Sequence, residues 1–359
     1  MAKEAVSFFW FRRDLRLEDN LGLFQALQSK YPVIPVFIFD ETILERLPNN
    51  DPRVGFIHES LAVINGKLNE FGASLIVKKG KPSEVWESLL HDYNIQEVYW
   101  NKDYEPNAIQ RDLDVDNLLV AKEVTVFAFK DQVIFEEAEI VKADGLPYTV
   151  YTPFKNKWLE KYNSIAPVQE WDATPYFSNF FKSTFEFPSL GQIGFIPSSI
   201  KVKPHNLKLV ANYHETRDFP ALDSTSYLSP HLRFGTVSIR KLVNWAVRKN
   251  PVFLSELIWR EFFMQILFHF PKVKNRNFKS AYDGIEWRND EADFKRWCEG
   301  KTGYPMVDAG MRQLNETGYM HNRVRMVVAS FLCKHLLIEW QWGEAYFAEK
   351  LLDYEMAAN

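Results

Sequence analysis

The feature that most constrains this chain is a change of hydrophobic period near residue 130. Before it, VSFFWF, VIPVFIFD, SLIVKKG, EVYWN and VTVFAF are short runs rich in β-branched and aromatic residues. Each is bounded by polar or turn residues, the pattern of buried strands. Between them NLGLFQALQSKY, RVGFIHESLAVINGKLNEFG and PSEVWESLLHDYN repeat their apolar positions at helical spacing. Parallel strands need a crossover, and a helix commonly supplies it. The spacing therefore predicts an α/β domain over residues 1–130, with a parallel Rossmann-like sheet and helices on both faces. No GxGxxG or P-loop follows the first strand, which runs instead into RRDLRLEDN. That argues against dinucleotide binding through a glycine-rich turn.

Residues 131–202 read as irregular, with Pro, Ser, Thr, Asn and aromatic residues mixed as in TPYFSNFFKSTFEFPSLGQIGFIPSS. A structureless stretch this long is uncommon and suggests an interdomain linker or a functional wrap. From residue 203 to 359 the β pattern is gone. SIRKLVNWAVRK, FLSELIWREFFMQILFHF, DEADFKRWCEG, PMVDAGMRQLNETG, HNRVRMVVASFLCKHLLIEW and WGEAYFAEKLLDYEMAAN all fit a period of 3.6, which predicts an all-α second domain.

Charge and cysteine usage narrow the function classes. Net charge is −4, but the halves differ. Residues 1–202 hold 21 Lys+Arg against 29 Asp+Glu, and residues 203–359 hold 22 against 18. A polyanionic partner is therefore expected on the second half. Cys298 and Cys333 stand far apart and in no CxxC spacing, and no HxH or HExxH occurs, so no disulfide framework or metal site is expected. A reducing cytoplasm is the natural compartment. The apolar run near the N-terminus is too short for a signal-peptide core, and no stretch reaches the length of a membrane span. Aromatic residues, at 15 %, suit large cores and equally a pocket that stacks on flat rings.

Three clusters carry chemistry. In SELIWREFF, residues 255–263, an apolar run holds Glu256, Arg260 and Glu261. On a helix Glu256, Trp259 and Arg260 share one face. Spacing alone allows a surface Glu–Arg pair, or the wall of a polar cavity whose acceptor and ring suit a nucleobase. In TGYMHNRVRMVVASF the break at Gly318 precedes Asn322, Arg323, Arg325 and Met326. Arginines in a first helical turn oppose the macrodipole. A phosphate, or a carboxylate such as Asp353 or Glu355, would compensate, unless the arginines are simply solvated. In DSTSYLSPHLRFG, Thr225, Ser226 and Ser229 stand at a helix entry. They form either an ordinary cap or an anion site able to take a diphosphate.

FWFRRDLRLEDN, TSYLSPHLRFG, ELIWREFF and GKTGYPMVDAGMRQLNETGYMHNRVRMVVASFL, in this order, resemble the DNA photolyase/cryptochrome family. The resemblance runs from residue 6 to the last residue and is greatest to the bacterial class I enzymes that repair cyclobutane pyrimidine dimers. It implies an antenna domain, a wrapping linker and a helical FAD- and DNA-binding domain. By motif, Tyr213 and the run Thr225, Ser226, Tyr227, Leu228, Ser229 would hold the FAD diphosphate. Arg325 and Asp353 would pair beside the flavin ring, Tyr354 and Glu355 would complete the cofactor set, and Asn359 would face flavin N5. Glu256 and Trp259 would line the lesion pocket, with Asn322 and Met326 opposite, as the catalytic set. Arg217, Arg260, Phe263 and Arg323, with Glu256, Trp259 and Asn322, would meet the DNA. Trp287 and Trp340 match the outer two tryptophans of the family's electron-transfer chain.

The implied activity is that of a deoxyribodipyrimidine photo-lyase. Photoexcited reduced FAD passes an electron to a flipped-out dimer, which splits into two pyrimidines. The implied partner is UV-damaged DNA, met by a cytoplasmic, nucleoid-associated monomer with no membrane contact. Asn322 and Met326 stand where (6-4) relatives carry histidines, which favours cyclobutane dimers. The resemblance also allows a second antenna chromophore, a deazaflavin, flavin or folate, or no antenna at all. The Asn107–Ala108 pair lacks the acidic residue of folate-binding relatives, which counts against folate. Family members continue past the asparagine at 359 into a tryptophan-rich tail, so the resemblance implies a chain incomplete at its C-terminus. Two alternatives stand: a cryptochrome-type blue-light photoreceptor, and a truncated, flavin-free nucleic-acid-binding protein.

Overall fold

The computed structural model describes residues 3–358. Its first half runs β1 (Ala5–Phe11), α1 (Leu21–Leu27), β2 (Val33–Asp40), α2 (Glu41–Leu44), α3 (Pro52–Asn69), β3 (Ile76–Gly80), α4 (Pro82–Asp92), β4 (Asn94–Asn101), α5 (Pro106–Val120), β5 (Thr125–Phe129) and α6 (Tyr151–Ile165). The five strands form one parallel sheet in the order β3-β2-β1-β4-β5. Alternation along β1 builds two cores. Phe9 and Phe11 meet Leu23 and Leu27 of α1 and Leu61, Ile64 and Leu68 of α3. Phe8 and Trp10 meet Trp86 and Leu89 of α4 and Val115 and Leu119 of α5 on the other face. A strand covered on both faces favours apolar side chains throughout, which is why β1 and β2 read as nearly continuous apolar runs; the buried exception in β1, Ser7, is satisfied by donating to Glu97 at 3.0 Å.

β1 leads into a charged turn. The buried Asp14 carboxylate accepts from the Arg12 N–H at 2.7 Å and from Asn101 Nδ2 at 2.6 Å. Burial, then the charge of Asp131, pushes its pKa up. Arg12 pairs with Asp112 and lies 5.0 Å from the centre of the Trp10 ring. Side chains thus fill the end of the strand.

The second half runs α7 (Tyr213–Thr216), α8 (Leu228–Phe234), α9 (Ile239–Lys249), α10 (Pro251–His269), α11 (Glu291–Cys298), α12 (Pro305–Thr317), α13 (Asn322–Lys334) and α14 (Trp340–Lys350). Contacts divide the chain into two compact units, one of residues up to 198 with 234–245, the other of residues 199–233 with those from 246 onward. Within the first unit, Ala173, Phe177, Phe180, Ile193 and Phe195 join the same core as Phe9. The reading of residues 131–202 as irregular needs correction. Phe154, Trp158 and Tyr162, four apart, are the buried stripe of α6. α5 also went unread as a helix, although Pro106 opens it in the position prolines favour.

Residues 234–245 bring charge to the first unit. Arg240 Nε donates to the Asp19 carboxylate at 3.0 and 3.1 Å, and its Nη2 to Asp131 at 2.8 Å. Arg16 Nη2 donates to both oxygens of Asp131, at 2.7 and 2.8 Å. All four side chains are buried. Burial alone would raise the Asp131 pKa, but the two guanidiniums outweigh it and hold the carboxyl below its ordinary value.

The second unit centres on Trp297, Met311, Val324, Val328, Leu332 and Phe347. Two glycines set its geometry. A Cβ at Gly310 would lie 2.4 Å from Val324 Cγ1, so only glycine lets α12 and α13 approach this closely. Gly318 closes α12 at φ 70°, a conformation that disfavours side chains, and its carbonyl accepts from Leu352 N–H at 3.0 Å. Together they seat the first turn of α13 beside residues 351–355. Among the described residues no helix is long and apolar enough to cross a membrane.

Candidate active site

α10 carries the first wall. Asn250 caps it, its Oδ1 accepting from the Val252 and Phe253 N–H groups at 3.1 Å each, and Pro251 follows at the first turn. Leu254, Leu257, Ile258, Glu261 and Phe262 are buried, while Glu256, Trp259 and Arg260 lie half-buried. Glu256 does not pair with Arg260. Its Oε1 accepts from Arg217 Nη1 at 2.7 Å. Arg217 also stands 5.2 Å from the centre of the Tyr213 ring, and Tyr213 packs on Phe253 with ring centres 5.5 Å apart. Burial, then the Glu256 charge, pushes the Tyr213 hydroxyl up to about 12. Burial opposes charge on Arg217, but Glu256 prevails and its pKa rises. Trp259 stacks on Phe263, 5.3 Å between centres and 22° between planes, with Phe263 exposed.

α13 carries the second wall. His321 is its cap, Nδ1 accepting from the Arg323 N–H at 3.2 Å. Burial and the neighbouring Arg323 charge lower the His321 pKa. The first-turn arginines each find a carboxylate. Arg325 Nη2 reaches both oxygens of Asp353, at 2.9 and 2.8 Å, and its Nε donates to the Met320 carbonyl at 2.9 Å. Arg323 donates to Asp218 at 2.7 Å. Glu355, buried, instead pairs with Arg260 at 3.6 Å. Asn322 and Met326 are exposed on this helix. The structure thus links Glu256, Arg217, Asp218 and Arg323 in one run of charges, and ties α10 and α13 separately to residues 353–355.

Near α8, Tyr227 adopts φ 54° and its hydroxyl meets Asp223 and Lys203 Nζ, the latter at 3.0 Å. Leu228 is buried, Thr225 and Ser226 partly so, and Ser229 is exposed. The hydroxyls of Thr225, Ser226 and Ser229 make no hydrogen bond to another described residue. Tyr354 accepts from Arg233 Nε through its carbonyl at 2.7 Å. Asn359 lies outside the described residues. Trp287 and Trp340 are half-buried and make no ring contact with each other; the rings that meet are Phe294, Trp297, Trp342, Tyr346 and Phe347. Asp218 and Lys203 escaped sequence reasoning. The Arg-Asp pair in YHETRDF was the one signal for Asp218.

Two family models match the chain, DNA photolyase over residues 7–175 and the FAD binding domain of DNA photolyase over residues 253–359. The chain belongs to the DNA photolyase family. A deoxyribodipyrimidine photo-lyase of Halobacterium salinarum is 38 % identical over 387 residues, covering 98 % of this chain and 80 % of that protein. The crystal structure of a class III photolyase from Agrobacterium tumefaciens superposes with a TM-score of 0.85 at 34 % identity, over all of this chain and 78 % of that one. An archaeal photolyase from Sulfolobus tokodaii, whose crystal structure holds two FAD molecules, gives 0.81 at 33 % identity, over 98 % of this chain and 80 % of that one.

The residues present fit the FAD of a photolyase. The unengaged hydroxyls at residues 225–229 are donors for a diphosphate. Arg325 is held on both sides, by Asp353 and the Met320 carbonyl, and so presents a fixed cation.

Proposed function

We propose that this photolyase repairs UV-damaged DNA in blue light, splitting cyclobutane pyrimidine dimers with FAD bound in its helical unit. The FAD-binding-domain match over residues 253–359, which takes in α13, nearly all of α10 and the Arg260–Glu355 and Arg325–Asp353 pairs, carries the reading. The chemistry supplied by bound reduced flavin is light-driven donation of one electron to the dimer, with return of that electron once the ring has opened.

The chain's own residues do the rest. Tyr213 and residues Thr225 to Ser229 hold the diphosphate, while Arg325, Asp353, Tyr354 and Glu355 surround the ring. Glu256 accepts an N–H from the base edge. Arg217 occupies only its Oε1, which leaves Oε2 for the lesion. A carboxylate already fixed by a guanidinium needs no reorganisation when charge builds on the dimer. Trp259 stacks on the lesion, with Asn322 and Met326 opposite, and flipping is least costly for a base that already stacks badly. Arg260, Phe263 and Arg323 face the DNA, and Trp287 and Trp340 relay electrons to the flavin. A second chromophore in the sheet unit is part of the reading, and the two-FAD relative favours a flavin there over a deazaflavin or folate. One monomer serves one lesion, on the nucleoid.

The test is illumination of a dimer-containing oligonucleotide with the flavin-loaded protein, beside a dark control. Intact thymines should reappear only in the light. A flavin-loaded protein that restores none would overturn repair and leave the photoreceptor role.

A further inference from the structure

Of the arginines read as meeting the DNA, Arg217 and Arg323 are not equally available. Asp218 Oδ1 lies 2.7 Å from Arg323 Nε and Nη2, and 3.7 Å from Arg217 Nε. Arg217 in turn holds Glu256 at 2.7 Å. Glu256, Arg217, Asp218 and Arg323 therefore form an unbranched run of alternating charge that sums to zero. One carboxylate oxygen between two guanidiniums stands where a phosphate oxygen would bind. Asp218 is exposed at 55 % and Arg323 at 46 %, so their contact is of the weak, exchangeable kind.

This arrangement makes the backbone contact conditional. A phosphate of undamaged duplex must compete with Asp218 for the Nε and Nη2 fork of Arg323, while Glu256 keeps hold of the nearest alternative cation. A flipped lesion changes the count. Its base edge donates to Glu256 Oε2 and offsets part of that carboxylate's charge, Arg217 then shares itself between Glu256 Oε1 and Asp218, and Arg323 is released without leaving a carboxylate unpaired. We propose that Asp218 is a specificity-determining residue that withholds Arg323 from the DNA backbone until Glu256 has engaged a lesion. It discriminates by penalising the wrong substrate instead of adding a contact to the right one. The inference rests on the repair reading above.

The experiment is dark binding of the flavin-loaded protein to two duplexes that differ only in one cyclobutane dimer. Wild type, Asp218→Asn, Arg323→Ala and the double variant are compared. Asp218→Asn should tighten undamaged duplex roughly three- to tenfold at low salt and shift the dimer duplex less than about twofold, so the preference falls. In the Arg323→Ala background the same substitution should change neither. Equal weakening of both duplexes would make Asp218 a mere support for Arg323 and overturn the inference. So would an unchanged preference, or an effect that survives loss of Arg323. A wild type that binds both duplexes alike would overturn the repair reading itself; a wild-type preference that Asp218→Asn leaves intact overturns this inference alone.

Discussion

Trp259 has one face given to Phe263, so under the proposed repair reading a base arriving beside Glu256 would meet an indole already fixed in plane. Trp259→Ala should weaken dimer-duplex binding by the ~1–3 kcal/mol of a base–aromatic stack and leave undamaged duplex nearly untouched, as read by competition binding. Unchanged lesion affinity would remove Trp259 from the pocket. His321 sets a pH dependence. Its pKa lies below the ordinary value of about 6.5, so on acidification the unfolded chain takes up the proton first. The stability due to neutral His321 is full above about pH 6.5 and lost as pH falls below that value toward the folded pKa. His231, lowered chiefly by burial, acts in the same sense. His321→Asn keeps a cap acceptor that does not titrate. Its melting temperature should therefore drop less than that of wild type between about pH 7.5 and about pH 5.5. Spacing exposed the shared face of Glu256 and Trp259 but offered Arg260 as the partner of Glu256. The true partner, Arg217, stands 39 residues away, a separation no local pattern reports.

At the scale of elements, hydrophobic period did most of the reading. β1 and β2 were legible because both faces are covered, and α10 because almost every side is apolar. α6 was not, because its three buried aromatics sit among Lys, Asn and Glu in a proline-containing stretch. The approach of α12 to α13 was equally hidden, since a glycine within a helix reads as weak propensity and says nothing of the neighbour it admits. Gly310→Ala should cost ~1–3 kcal/mol by overpacking against Val324, measured as a shift in urea midpoint at constant slope. Adding Val324→Ala should recover part of that loss. Wild-type stability in Gly310→Ala alone would show that the helices are not in contact at this point.

For the whole molecule, the charge asymmetry foreseen between halves agrees with the arginine-bearing helices of the second unit, although the compensating carboxylates keep most of that charge internally paired. The division into units is less simple than the change of period near residue 130 suggests, because residues 234–245 return to the first unit. Loss of a partner from a buried ion network typically costs ~3–5 kcal/mol. Arg240→Met should destabilise the first unit by that order, read from its unfolding by near-UV circular dichroism. A neutral effect would mean that Arg16 alone balances Asp131 and that the buried Ser238, whose hydroxyl donates to the Asp19 carboxylate, suffices there. The return also has a consequence for biosynthesis. A ribosome that has finished β5 must add more than a hundred residues before Arg240 emerges, roughly 5–20 s at ordinary elongation rates. Through that interval the nascent sheet half holds Asp19 and Asp131 short of one cation. Its folding is completed by codons that lie within the coding region of the helical half.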